Sequence, residues 1–253
     1  MSSPVLEFEQ VSLTLGEGVG RTDALVDINL QVAAGELVAI TGRSGSGKSS
    51  LLNVAGGLHS SSSGAVRVNG VDLSALSATE LAIQRRRSVG FVFQDLNLIA
   101  SLTAAENVAL ALELDGVRVA EARAEAESAL TAVELDGLGK RFPDELSGGQ
   151  RQRVAIARGL VGERKLLLAD EPTGALDEVT GESIMEILRR RCDAGAAALL
   201  VTHDPSIAAW GDRVVRLRDG RIDSVTERPK VAADPTDWQA SSVVADIADR
   251  RTS

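Results

Sequence analysis

The alternation of apolar and polar positions changes rhythm along the chain, and those changes divide it. Residues 5–15 alternate in part, with Val5, Phe8, Val11, Leu13 and Leu15 apolar, which predicts a half-buried strand. Gly16-Glu17-Gly18-Val19-Gly20 is a turn, and 24–32 gives a second strand with Leu25, Ile28, Leu30 and Val32 apolar. Residues 37–41 are a continuous apolar run, the pattern of a strand covered on both faces. A short strand over 65–68 stops at Asn69-Gly70, a helix is predicted over 78–87, and a strand over 89–93.

From about 95 to 160 the texture becomes helical. Segments 106–114, 119–135 and 151–161 are rich in Ala, Leu, Glu and Arg, strong helix formers, with no strand between them. Alternating β/α texture then returns: a buried strand over 165–170, a helix over 182–191 and a buried strand over 197–202. A hairpin follows, 214–218 and 221–222, joined by Asp219-Gly220. Strands separated by helices imply right-handed parallel crossovers. The expected architecture is therefore α/β, with a β-rich front end and a helical insertion at about 95–160. From Thr226 the chain turns polar. Residues 225–253, with Pro229, Pro235 and Trp238, are expected to pack loosely or to be disordered.

Composition narrows this picture. Of 253 residues, 44% are apolar but only 2% aromatic, and there is no Tyr, so the core must be aliphatic. The net charge of −9 argues against a broad phosphate-backbone surface, so no nucleic acid is expected as a partner. Arg85-Arg86-Arg87 fits the last turn of a helix, where cations complement the dipole, better than it fits a nucleic-acid patch. Cys192, the single cysteine, excludes an intrachain disulfide framework and is expected to be a packed helix residue. The N-terminus lacks a secretory pattern, and no apolar stretch approaches the ~18 residues of a membrane span. A cytoplasmic protein is expected, peripheral to a membrane only through a partner.

Between the strand at 37–41 and the helix opening at Ser50 lies Gly42-Arg43-Ser44-Gly45-Ser46-Gly47-Lys48-Ser49. It matches G-x-x-x-x-G-K-[ST], a loop whose backbone N–H groups and following helix N-terminus surround a phosphate chain. The glycines allow close approach of the backbone. Lys48 is expected on the β and γ phosphates and Ser49 on Mg²⁺, with Ser50 its helical neighbour. Asp170 ends an apolar strand as a magnesium-side acid, and Glu171 follows it as a candidate general base. Gln94 and His203 also end strands. They would lie at the carboxyl edge of a parallel sheet, where such folds bind ligands. His59 is expected on the surface. Leu146-Ser147-Gly148-Gly149-Gln150 opens a helix with a good N-cap and offers a second anion site. Two anion sites beside one magnesium site suggest that the second serves a nucleotide held by another copy.

Residues 42–49, Gln94, 146–150, Asp170-Glu171, Gly174-Ala175-Leu176-Asp177 and His203 occur in the order found in ABC transporter ATP-binding subunits, which the chain resembles over about 5–223. Residues 168–177 and 91–95 look most like the lipoprotein-releasing and macrolide-exporter subfamily. The resemblance implies a P-loop NTPase fold over 1–224, with a mostly parallel core sheet, an N-terminal antiparallel β subdomain and an inserted α-helical subdomain. It implies ATP and Mg²⁺ as ligands, with Mg²⁺ on Ser49, Gln94 and Asp170. Two copies would close head to tail on ATP, each nucleotide lying between Lys48 and Ser49 of one and Ser147 and Gly149 of the other. Gly174 to Asp177 would cross the interface, and Gln94 with the segment after it would contact a separate membrane permease. An ATPase that regulates a cell-envelope machine without transport, and a soluble ABC ATPase on nucleic acid, are the alternative readings. The family's adenine-stacking aromatic is replaced here by Leu15, which implies weaker base binding and looser base discrimination.

Overall fold

The computed structural model describes residues 3–16 and 20–228. Strands β1 (Leu6–Leu15), β2 (Thr22–Val32), β4 (Ser63–Val68) and β5 (Val71–Asp72) form an antiparallel sheet in the order β2-β1-β4-β5. Strands β3 (Leu37–Thr41), β6 (Val89–Val92), β7 (Leu166–Asp170), β8 (Ala197–Val201), β9 (Arg213–Arg218) and β10 (Arg221–Glu227) form the second sheet, ordered β10-β9-β3-β8-β7-β6. Every pairing in it is parallel except that of the hairpin β9–β10. The helices are α1 (Lys48–Ala55), α2 (Ala78–Ser88), α3 (Ala104–Glu113), α4 (Val119–Ala132), α5 (Gly148–Leu160), α6 (Glu178–Asp193) and α7 (Pro205–Ala208). Helices α3, α4 and α5 follow one another between β6 and β7 without a strand.

Alternate residues of one strand feed two different cores, because successive side chains leave opposite faces of a sheet. Leu166 and Leu168 of β7 join the cluster containing α1 and the antiparallel sheet. Leu167 and Ala169 join the cluster containing α3 to α6. Both faces are covered, which is why β7 and β8 are continuous apolar runs in sequence. Helix α5 comes unusually close to β6. A Cβ on Gly90 would sit 1.9 Å from the Gly159 carbonyl oxygen, so two glycines facing each other set this approach. Cys192 is buried in α6, and burial pushes its thiol up to about 12, consistent with a packed, unreactive residue.

The differences from the sequence pattern have local causes. Helix α6 begins at Glu178, not Glu182, because the Asp177 side chain caps it by accepting from the Thr180 N–H at 3.0 Å. Strand β10 continues to Glu227, so 225–227 belong to the sheet and not to a tail from Thr226. Pairing with β9 holds this edge strand, which needs no apolar alternation. Trp238 and the remainder of the expected tail lie outside the described residues. The basic turn of α2 is spoken for: Arg86 and Arg87 pair with Asp115, and Arg85 donates to the Gly57 carbonyl. His59 is exposed, as expected.

Candidate nucleotide site

The carboxyl ends of β3, β7 and β8 open into a cleft of about 780 Å³. Its wall includes Gly42, Ser44, Gly45, Gly47, Lys48, Ser49 and Ser50 from the loop, Asp170 and Glu171 beyond β7, His203 beyond β8, Gln94 beyond β6, and Leu15. Residues far apart in sequence thus meet at one sheet edge, the place where open α/β sheets take ligands.

The loop conformation depends on its glycines. Gly42, Gly45 and Gly47 have φ of 152°, 77° and 100°, a region that residues with a Cβ rarely adopt. A Cβ on Gly42 would lie 2.4 Å from the Leu217 carbonyl oxygen, and one on Gly47 2.4 Å from that of Ala24. At Gly45 the corresponding space is open. The Lys48 ammonium donates to the Gly42 and Arg43 carbonyls, 2.9 Å each, so it rests on the loop itself. Ser46 is buried below the loop and its Oγ has no partner among the described residues. Arg43 contributes its carbonyl to Lys48, and its side chain is not part of the cleft wall.

Glu171 has φ 49° and a side chain 17% exposed. Its backbone N–H donates to the Val201 carbonyl at 3.0 Å, tying the residue to β8. Thr202 Oγ1 donates to one carboxylate oxygen at 3.3 Å, and His203 Nδ1 lies 2.8 Å from the other. The carboxylate is thus aimed by two residues of the next strand's end. Burial pushes the Asp170 carboxyl above its ordinary value. The Ser49 hydroxyl and the Lys48 ammonium pull it back, while Glu171 and Asp95 push it further up.

Three oxygen-bearing side chains, Ser49, Gln94 and Asp170, share this wall, and no cluster of three His, Cys, Asp or Glu exists among the described residues. One desolvated carboxylate with neutral oxygen donors suits Mg²⁺, which takes one or two carboxylates and completes its shell with water and phosphate oxygens.

Ser147 to Gln150 do not line this cleft. Ser147 caps α5 in a reciprocal capping box: its Oγ accepts from the Gln150 N–H at 3.2 Å, and Gln150 Oε1 accepts from the Ser147 N–H at 2.9 Å. Gly149 lies beside Leu176 and Ala175, so a Cβ there would be 3.5 Å from the Leu176 side chain.

Two further residues emerge only from the structure. Gln152, 3% exposed, donates to the Pro172 carbonyl at 2.8 Å and ties α5 to the loop after Glu171. Arg158, near the other end of α5, donates to the carbonyls of Leu96 and Asn97 at 2.6 Å each. Both carbonyls belong to left-handed residues, with φ of 39° and 48°. Helix α5 therefore holds both the segment after Glu171 and the segment after Gln94. The available signal was Gln152 on the buried face with Ile156, a polar residue where burial demands a partner.

The family model described as ABC transporter matches residues 25–174. The chain belongs to the ABC transporter family. It is an ATPase cassette of that family. It is 44% identical over 230 residues to the macrolide export ATP-binding/permease protein MacB of Neisseria gonorrhoeae, an alignment covering 90% of this chain and 36% of that protein. To MacB of Mannheimia succiniciproducens it is 42% identical over 227 residues, with 90% and 35% covered. The chain thus spans about a third of the length of these curated relatives. Among solved structures, the dimeric ATP-binding cassette MJ0796 bound to ADP and Pi superposes with a TM-score of 0.85 at 39% identity, covering 89% of this chain and all of that one. A second dimeric structure of MJ0796 matches equally well. The ABC ATPase fold and the likeness to the macrolide-exporter subfamily expected from the motifs are both borne out.

Proposed function

We propose that this cassette powers a membrane permease of the exporter or lipoprotein-releasing type by ATP-driven head-to-tail closure of two copies. The observation that carries the proposal is that the cleft is one-sided. Its own loop, acids and His203 face it, while the capped helix start at Ser147 does not. A second copy supplying Ser147, Gly148 and Gly149 would complete it, and the solved relatives are dimeric.

In this reading the loop amides and Lys48 take the β and γ phosphates, and Lys48 leaves its two carbonyl partners to do so. Mg²⁺, held by Ser49, Gln94 and Asp170, would neutralise charge on those phosphates. Glu171, oriented by Thr202 and His203, accepts a proton from the attacking water. His203, 77% exposed, keeps Nδ1 on Glu171 and leaves its other ring nitrogen for the γ phosphate. Gln94 reports occupancy to the segment after it, whose left-handed turn Arg158 holds against α5. That segment, with Ile99 41% exposed, is the proposed permease contact. No described helix is long and apolar enough to cross a membrane, so attachment would go through the permease.

Glu171→Gln tests this directly. ATP turnover should fall by about 10²–10⁴-fold, the usual contribution of a general base. ATP binding should persist, and light scattering should show a dimer with MgATP and a monomer without it. A monomeric, fully active variant would refute the assignment. The same variant, used as bait in solubilised host membranes, should retain a multi-span protein. Retention of soluble partners or nucleic acid alone would favour an ABC ATPase working away from membranes.

A further inference from the structure

A second cavity, of about 610 Å³, opens at the opposite edge of the parallel sheet, before the amino ends of β7 and β8. Its lining includes Arg164, Lys165 and Arg191, with Ser3, Asn69 and a single carboxylate, Glu163. In a chain of net charge −9, three cations around one concavity are out of proportion.

The charges are also poorly matched. Arg164 is 8% exposed and makes no hydrogen bond or ion pair with the described residues, although it borders the cavity. Desolvation lowers its pKa, Asp115 counters this, and Arg86 and Arg191 add to it. Asp115 is already engaged by Arg86 and Arg87. Arg191 spends one terminal nitrogen on the Leu160 and Gly162 carbonyls, at 2.9 and 2.6 Å, and its Nε is buried without a partner. Glu163 is exposed and ion-pairs with none of these cations. A largely desolvated guanidinium whose nearby carboxylate, Asp115, is already shared by two other arginines is unfavourably placed, and an anion entering the cavity would offset that cost. The volume falls within the range of small-molecule sites, about 300–1,000 Å³.

We propose that this cavity binds a small phosphate-bearing anion at a site separate from the nucleotide cleft. Three cations match a phosphate dianion better than a lone carboxylate. Guanidinium groups offer the forked donors that phosphate oxygens accept, and the Ser3 hydroxyl and Asn69 amide add neutral donors at the rim. The sheet separates the two sites: the nucleotide loop follows β3 at its carboxyl end, and this cavity precedes β7 and β8.

The test fills the cleft first. The full chain is saturated with Mg²⁺ and a non-hydrolysable ATP analogue, then titrated with inorganic phosphate by calorimetry and by ³¹P line broadening. One saturable site per chain is expected. Arg164→Gln and Lys165→Ala should each weaken it at least tenfold, Arg164→Lys should retain much of it, and excess KCl should compete. Lys165 is exposed, so its variant remains informative even if Arg164→Gln fails to fold. Absence of saturable binding once the analogue is bound would overturn the proposal. So would equal binding by Lys165→Ala and the parent, or loss of binding only in Lys48→Ala.

Discussion

Helix α1 starts after a glycine-rich loop and α5 starts on two glycines, yet their N-termini are prepared in opposite ways. At α1 the cap is Gly47, left-handed, with no side chain bonded to the first turn. At α5 the cap is Ser147, which exchanges hydrogen bonds with Gln150. Every helix start carries orphan N–H groups. A glycine cap leaves them for a ligand, whereas a capping box satisfies some of them internally. The start of α1 lines its own chain's cleft, and the start of α5 does not, although Gln152 one turn further along does. One helix start thus leaves its N–H groups open beside the cleft, and the other closes on itself through its capping box.

Gly47→Ala should separate the two most sharply. A side chain there meets both a left-handed φ and the Ala24 carbonyl, a strain of about 1–3 kcal/mol. ATP affinity of the single chain should fall by about 5–150-fold, measured by calorimetry, while the fold persists by circular dichroism. Unchanged affinity would mean that the loop conformation is not what admits the phosphate.

Leu15→Tyr strengthens the α1 side at its base end. Leu15 borders the cleft and is 39% exposed, so an aromatic ring there has room to meet adenine. Stacking contributes about 1–3 kcal/mol per base in single-strand complexes, so ATP should bind up to ~100-fold tighter and GTP should be rejected more strongly. If ATP affinity is unchanged and the parent already rejects GTP, Leu15 does not set base preference.

Ser147→Ala should do the reverse of Gly47→Ala. It removes a cap worth about 1 kcal/mol, seen as a small loss in thermal stability. Single-chain ATP affinity should stay the same, and ATP-driven dimerisation in the Glu171→Gln background should weaken. Loss of monomer affinity would place Ser147 in its own chain's site and break the comparison.

The smallest effect is one of pH. Burial raises the Asp170 pKa, so the folded chain holds that proton more tightly than the unfolded one. Stability of the ligand-free protein should therefore fall as pH rises from the ordinary aspartate value through the higher folded value. Asp170→Asn should flatten that slope and raise the melting temperature at neutral pH without Mg²⁺, while losing Mg²⁺-dependent hydrolysis. An unchanged slope would move the penalty elsewhere.

Much of this was legible because it is local. The run 37–41 followed by 42–49 announces strand, loop and helix within a few turns of chain, and the structure has that arrangement. Burial on both faces makes β7 and β8 uniformly apolar, so they too stand out. Other features were legible in part. Asp177 is a good cap by residue type, yet the low helix propensity of Thr180 and Gly181 hid the first turn of α6. The contacts of Gln152 and Arg158 were not legible, since each depends on carbonyls that another segment presents.

By itself the sequence determined which short segments can surround a phosphate, which strands are buried and which helix start is capped, because neighbouring residues and periodicity decide these. Tertiary structure alone decided that Leu15, Gln94, Asp170 and His203 share one wall while Ser147 stands apart from it. It also decided that Arg164 and Arg191 meet around a cavity at the far edge of the sheet. Strand order and the packing of α5 on β6 fix those distances, and they are set by contacts between segments remote in sequence.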